Sequence, residues 1–166
     1  MASHFFLDFK FVNNQILHLY TDAAASIGFG AVFDTRWFSG LWHEACKSLH
    51  ITILEFYPIL LAINIWGHLL QNKCLLFHSD NIAVVSIINK FSSKDPHVMT
   101  LLRTLVLDCL RYNIYIRAEH VPGVLNITSD MLSRSQVHQA KRHNPRLQDN
   151  PELIPPRLLL HKLLAV

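Results

Sequence analysis

The pattern of apolar and polar positions changes character several times along the chain, and each change marks an element. Residues 1–14 show no clear period and read as an irregular lead-in. Gln15 to Ala24, Ile27 to Phe33 and Trp37 to His43 are short stretches of β-branched, aromatic and small apolar residues, divided by Ser26 and by Asp34-Thr35-Arg36. Such stretches with polar breaks predict an antiparallel meander of three strands. From about Thr52 to Leu70 the pattern becomes helical, and Pro58 must sit in the first turns or kink the helix. Lys73 to His78 is a short apolar run bounded by polar residues, which predicts a buried strand, and Ile82 to Ile88 reads as a short helix. Asp95-Pro96 is a helix start, with Asp as cap and Pro in the first helical position. Val98, Leu101, Leu102, Leu105 and Cys109 then repeat on one face to about Tyr112. Asn113 to Glu119 alternates as a strand, His120-Val121-Pro122-Gly123 forms a loop, and about Thr128 to Arg134 a last short helix follows.

The order βββαβααβα predicts an α/β domain over residues 15–135, with a five-stranded mixed sheet flanked by helices. Residues 136–166 contain Pro145, Pro151, Pro155 and Pro156 before the apolar end Leu158-Leu159-Leu160-His161-Lys162-Leu163-Leu164. They read as a basic linker or tail whose end seeks a partner or begins another domain.

Composition narrows the class. A chain of 166 residues with 51% hydrophobic and 16% charged content can bury one sizeable core and lies far from the disordered class. The longest apolar stretch, Ile53 to Leu70, carries Glu55, Pro58, Asn64 and His68, so a core helix is expected and not a membrane span. The N-terminus lacks the basic, apolar and small-residue succession of a signal peptide, and an intracellular protein, cytoplasmic or nuclear, is expected. Cys46, Cys74 and Cys109 are odd in number and far apart, which predicts reduced thiols rather than disulfides. The 11 histidines come with no Cys-x2–4-Cys pair, so the paired short spacings of a zinc site are not present. Residues 1–135 hold ten Lys/Arg and ten Asp/Glu, so the whole net charge of +3 comes from 136–166, where Lys141, Arg142, Arg146, Arg157 and Lys162 face Asp149 and Glu152.

Four acids carry the candidate chemistry. Asp22 interrupts the apolar run Ile16-Leu17-His18-Leu19-Tyr20-Thr21, where an unpaired carboxylate would cost several kcal/mol to bury and a cation is the natural compensation. Glu55, three residues after Thr52, fits a capping box as well as it fits a ligand. Asp80, after a strand and before a helix, could be an N-cap, and Asp130 could complement the dipole of the last helix. Taken together, the predicted elements bring all four acids to one edge of the sheet. Carboxylates suit Mg²⁺, a hard cation that prefers oxygen ligands, and two such ions about 3.5–4 Å apart can activate a water and stabilise the leaving oxygen at a phosphodiester.

The segments Leu19-Tyr20-Thr21-Asp22, Leu54-Glu55-Phe56-Tyr57-Pro58, His78-Ser79-Asp80-Asn81, and His120-Val121-Pro122-Gly123 through Asp130-Met131-Leu132-Ser133-Arg134 together resemble a known family. The resemblance is to the ribonuclease H domain of retrotransposon reverse transcriptases, most closely those of tyrosine-recombinase (DIRS-like and Ngaro-like) elements, and covers about residues 15–135. It implies a ribonuclease H-like fold and cleavage of the RNA strand of RNA–DNA hybrids. Asp22, Glu55, Asp80 and Asp130 then hold two Mg²⁺, for which Mn²⁺ can substitute, and His120 takes the place of the loop histidine linked to proton transfer or product release. The implied partners are the hybrid and an adjoining polymerase domain in a polyprotein, with no membrane and no small-molecule cofactor. Asn81, Asn126, Lys141, Arg142 and Arg146 are the candidate substrate contacts.

The sequence departs from cellular members of that family at Ala23-Ala24, where they carry Gly-Ser, and at Ser129, where a small Ala is common. Only Phe91 to Lys94 separates Ile88-Asn89-Lys90 from Asp95, leaving no room for a basic helical handle. Two other readings compete. One is an integrase-like nuclease of the same fold, which would use three acids and would not call for the His120-to-Asp130 segment. The other is a catalytically silent nucleic-acid-binding or scaffold domain.

Overall fold

A computed structural model of the chain describes residues 11–122 and 126–166. Most of the lead-in, residues 1–10, and Gly123 of the loop after His120 lie outside the described residues. The strands are β1 (Phe11–Asn13), β2 (Leu19–Ala24), β3 (Gly28–Phe33), β4 (Arg36–Leu41), β5 (Cys74–Ser79) and β6 (Tyr115–His120). The helices are α1 (Asn14–Leu17), α2 (Ile51–Trp66), α3 (Ile82–Lys90), α4 (Pro96–Tyr112), α5 (Ile127–Ser133), α6 (Val137–His143) and α7 (Leu160–Leu163).

The fold is α/β, but the expected single sheet of five strands is replaced among the described residues by two sheets of three. One is antiparallel in the order β2-β3-β4 and the other parallel in the order β1-β5-β6. The division has a local cause. The end of the lead-in forms β1, which pairs Phe11, Val12 and Asn13 with Cys74, Leu75 and Leu76 of β5. The helical turn α1 and His18, whose φ of 53° lies in the left-handed region, then break the strand. Beyond them, among the described residues, β2 pairs with β3 alone and the C-terminal half of β5 pairs only with β6.

Period-two alternation divides the antiparallel sheet between two cores. Leu19, Phe29, Ala31 and Phe38 face the large core with α2 and α4, whereas Val32 and Trp37 join Leu132, Ala140 and Leu147 beneath α5 and α6. Helix α2 is buried almost all round, as a helix between a sheet and α4 must be. Pro58 lies inside it, so the Leu54 carbonyl loses its usual i+4 donor. Helix α4 begins as its sequence requires: the Asp95 side chain accepts from the His97 and Val98 amides, with Pro96 in the first turn. Gly67 ends α2 against Tyr112, whose ring a Cβ at that position would strike at 2.2 Å.

Residues 136–166, read from sequence as a linker or tail, lie against this body. Their backbone joins the edge strand β4, with the Gln148 amide donating to the Thr35 carbonyl and that of Glu152 to Trp37. Trp37 Nε1 donates to the Gln148 carbonyl at 2.7 Å, Arg36 pairs with Glu152 at 3.2 Å, and Leu158, Leu160 and Leu164 enter the large core. The reason is non-local. Trp37, Tyr57 and Trp66 leave an apolar flank and unsatisfied donors that only a distant segment reaches, which no local period in a Pro-broken stretch reveals. Tyr57 Oη donates to the Leu158 carbonyl at 2.9 Å in the interior. Tyr57→Phe should therefore cost about 1 kcal/mol of unfolding free energy, read by urea denaturation. An unchanged midpoint would mean that 156–166 is not docked in solution.

Cys46, Cys74 and Cys109 are all free thiols, as expected, and burial raises the Cys109 thiol to about 12. Among the described residues no helix is long and apolar enough to cross a membrane.

Candidate active site

The two sheets part beside the C-terminal half of β5, and a cleft of about 60 Å³ opens there, lined by Thr21, Asp22, Glu55, Ser79, Asp80 and Asn126 among others. Each candidate acid arrives on a different element. Asp22 sits within β2, opposite Gly30 of β3, and so does not end its strand. Glu55 lies in the second turn of α2, Asp80 directly follows β5, and Asp130 lies in the first turn of α5.

The capping roles open to these acids are filled by other residues. His50 caps α2, its Nδ1 accepting from the Thr52 amide at 3.2 Å, so Glu55 serves no capping box. Asn81 caps α3, its Oδ1 accepting from Ala83 and Val84, so Asp80 is not the cap. The other half of the Asn81 amide donates to Glu55 Oε2 at 2.6 Å and fixes that carboxylate at the cleft. One asparagine thereby starts a helix and orients an acid.

Helix α5 reaches Asp22 because Gly30 has no side chain. A Cβ there would lie 2.5 Å from Leu132 Cβ and 2.8 Å from the Ser133 amide nitrogen. The close approach carries Ser133, fully buried, against β2, where its Oγ donates to Asp22 Oδ2 at 2.5 Å and lies 2.8 Å from the Asp130 carbonyl. Arg134 Nε pairs with Asp130 Oδ1 at 3.0 Å.

The electrostatics tie the four acids together. Burial raises the Asp22 carboxyl above its ordinary value; the Ser133 hydrogen bond and Arg134 oppose this, while Asp130 and Asp80 add to it by repulsion. Burial likewise raises Glu55, against the Asn81 hydrogen bond and with repulsion from Asp80 and Asp22. Asp22 and Glu55 are thus costly to ionise where they stand, Asp22 in the field of Asp130 and Asp80 and Glu55 in that of Asp80 and Asp22. Asn126 adds a further imbalance: its Nδ2 reaches the Thr21 carbonyl at 3.4 Å, but its buried Oδ1 finds no donor among the described residues.

Among the described residues no three His, Cys, Asp or Glu side chains are drawn in closely enough to hold an ion as they stand. Ser133, Asn81 and Arg134 each hold one acid, and the carboxylates repel one another. The donor chemistry nonetheless fits a hard divalent cation. The donors are carboxylate and amide oxygens, the acids are underneutralised, and an orphaned acceptor lies beside them.

Comparison with known proteins finds no matching family model and no significant match among curated proteins. Function must be argued from the site itself.

The other candidates are scattered. His120 is exposed at the end of β6, in register with Ser79, one strand away from the acid-lined cleft. Asn81 is occupied by Glu55 and the helix start. Lys141 donates to the Asp149 carbonyl at 2.6 Å and lies over the Trp37 ring, and Arg142 is exposed in the last turn of α6. Asn126 and Arg146 line a second cleft together. Ser133, Arg134 and Gly30 were not singled out from the sequence. The first two stand three and four residues after Asp130, the helical spacing that places side chains on one face, and that spacing was the available signal.

Proposed function

We propose that this chain is a ribonuclease H-like domain that hydrolyses the RNA strand of RNA–DNA hybrids, as part of a retrotransposon-type reverse transcriptase with an adjoining polymerase domain. The observation that carries the reading is the set of three acids, Asp22 on β2, Glu55 on α2 and Asp80 at the end of β5, that line one cleft where the sheets part, with Asp130 of α5 near enough to Asp22 to raise its carboxyl. The order from β2 to α5 is βββαβααβα, the succession the family resemblance implies, with β1 an addition to it.

Asp22, Glu55, Asp80 and Asp130 would hold two Mg²⁺ or Mn²⁺, which when bound supply Lewis acidity at the phosphodiester and a more acidic water. Asn81 and Ser133 orient Glu55 and Asp22, and Arg134 offsets part of the charge that the four carboxylates concentrate. His120, exposed at the end of β6 one strand away from the cleft, would carry the proton to the leaving oxygen. Cations for a nucleic-acid strand stand on the α2–α3 side, where Lys90 and Lys94 line a groove of about 590 Å³ with His50, Thr52, Ser92 and Ser93, against the single carboxylate of Asp95.

His120→Ala should slow turnover while preserving the rise in melting temperature that Mg²⁺ produces, whereas Asp130→Asn should diminish that rise as well. Full activity of His120→Ala in both Mg²⁺ and Mn²⁺ would remove its role.

Incubation with labelled hybrid, duplex DNA, duplex RNA and single strands, in Mg²⁺, Mn²⁺ or EDTA, tests the function. Only the RNA strand of the hybrid should be cut, and only with metal. Cutting of duplex DNA would favour the integrase-like reading. Binding without any cutting would leave a silent nucleic-acid-binding domain.

A further inference from the structure

On the far side of Asn126 from the acids lies a cleft of about 270 Å³, lined by His18 and Tyr20 of the β2 edge, Thr128 of α5, and His143 and Arg146 of the C-terminal segment. We propose that this cleft is a nucleotide subsite, taking a phosphate and sugar of the strand that runs past the acids, with the C-terminal segment as its basic wall. The inference rests on the nuclease reading for its strand and adds to it the place where a neighbouring nucleotide is gripped.

Three features carry it. First, the two clefts are neighbours that share Asn126, whose Nδ2 is tied to β2 through Thr21 and whose buried Oδ1 has no donor among the described residues. Second, position along β2 sets the scale. Tyr20 and Asp22 share one side of β2, ~7 Å apart at about 3.3 Å per residue, and His18 lies just before the strand on the side of Tyr20 away from Asp22. With nucleotides rising about 3.4 Å along a helical strand, that interval covers the next few nucleotides. Third, the donors match. Arg146 spends an Nη on Asp34 Oδ1 at 3.1 Å and keeps the rest of its five-donor fork, and His18, His143 and the Thr128 hydroxyl add further donors of the kind that contact phosphates. The Asp34 carboxylate is the opposing charge. Its pairing with Arg146 is largely exposed, so a phosphate meets a weak competitor and an anchored guanidinium. Tyr20, partly buried in the same wall, offers a ring for a sugar or base to pack against.

The test is binding of the full chain to a fluorescent RNA–DNA hybrid in EDTA, where no bond is broken, so the result stands whether or not the chain cuts the hybrid in Mg²⁺. The double substitution His143→Ala/Arg146→Ala should weaken binding by roughly tenfold and lower the salt slope by about one, the signature of a lost phosphate contact. Arg157→Ala, which removes an equal charge from an exposed site elsewhere in the same segment, should leave affinity within about twofold. Shortening the RNA strand from one end, a nucleotide at a time, should erase the difference between wild type and double variant once the subsite is vacated. Equal losses in Arg157→Ala and the double variant, a difference that survives every truncation, or no measurable binding by the wild-type chain would each overturn the subsite.

Discussion

Asp22→Asn should leave no measurable hybrid cleavage and yet melt at a higher temperature than wild type when metal is absent. On the proposed two-metal reading the first effect follows from removing one anionic ligand of a site whose metal chemistry would supply several kcal/mol of barrier lowering, at about 1.4 kcal/mol per factor of ten; a loss of at least about a thousandfold is expected. The second follows from burial, which together with Asp130 and Asp80 raises the Asp22 carboxyl in the folded protein. A group raised on folding holds its proton more tightly in the folded state, so ionising it at neutral pH costs stability. As pH falls through the raised folded value that penalty is relieved, and below the ordinary carboxyl range both states are protonated and it vanishes. The amide carries no charge, and its oxygen still accepts from Ser133. The variant's advantage in EDTA should therefore be present at pH 7 and fade in acid, as measured by thermal melts across pH. Mg²⁺ should raise the melting temperature of wild type and not of the variant. A variant that cleaves near normally removes Asp22 from the metal site, and one that is less stable at pH 7 in EDTA removes the buried-charge argument.

Gly30→Ala should damage the same site from behind. The added Cβ falls 2.5 Å from Leu132 Cβ and 2.8 Å from the Ser133 amide nitrogen, and the backbone of a packed helix does not yield as a flexible side-chain tip would. Helix α5 must move outward, carrying Asp130 and Ser133 from Asp22. A stability loss of about 1–3 kcal/mol is expected. Hybrid cleavage should fall on the order of a hundredfold, the cost of a misplacement near 1 Å. The two effects separate by working at a temperature where the variant is fully folded: cleavage should still be low there. Wild-type rates under that condition would show that α5 does not position the acids.

What the sequence made legible was whatever rests on local pattern. The Asp95-Pro96 cap and apolar face of α4 are found from Pro96 to Tyr112, and the meander and the short strand before Asp80 stand where their composition placed them, except that the first strand, expected from Gln15, starts at Leu19 because α1 and the left-handed His18 take up residues 15–18. The acids could be grouped because element order alone predicts Asp22, Glu55, Asp80 and Asp130 at one edge; Asp22, Glu55 and Asp80 line the cleft there, and Asp130 stands beside Asp22 on α5. Long-range pairing was not legible. Nothing in Phe11-Val12-Asn13 announces a strand that needs Cys74-Leu75-Leu76 as its partner, and the turn of α1 that divides the sheets depends on that pairing. The Pro-broken residues 136–166 carry no period, yet Trp37, Tyr57 and Trp66 hold them through bonds that span from 86 to 111 positions of sequence. Capping misled for the same reason. Thr52 and Glu55 spell a capping box, but His50 stands nearer the helix start and takes the amide first.

The most direct test is the chemistry of the cut ends on the RNA strand of a hybrid as Mg²⁺ is titrated from zero. In the proposed reading the acids would hold metal that activates a water for attack on the phosphorus, and the bond to the 3′-oxygen would then break. The expected products are 3′-hydroxyl and 5′-phosphate ends, formed only with metal, and not formed by Asp22→Asn. Products with 2′,3′-cyclic phosphate ends, or cutting that persists in EDTA, would show that an internal 2′-hydroxyl attacks without the acids, and would contradict a metal-dependent ribonuclease H site.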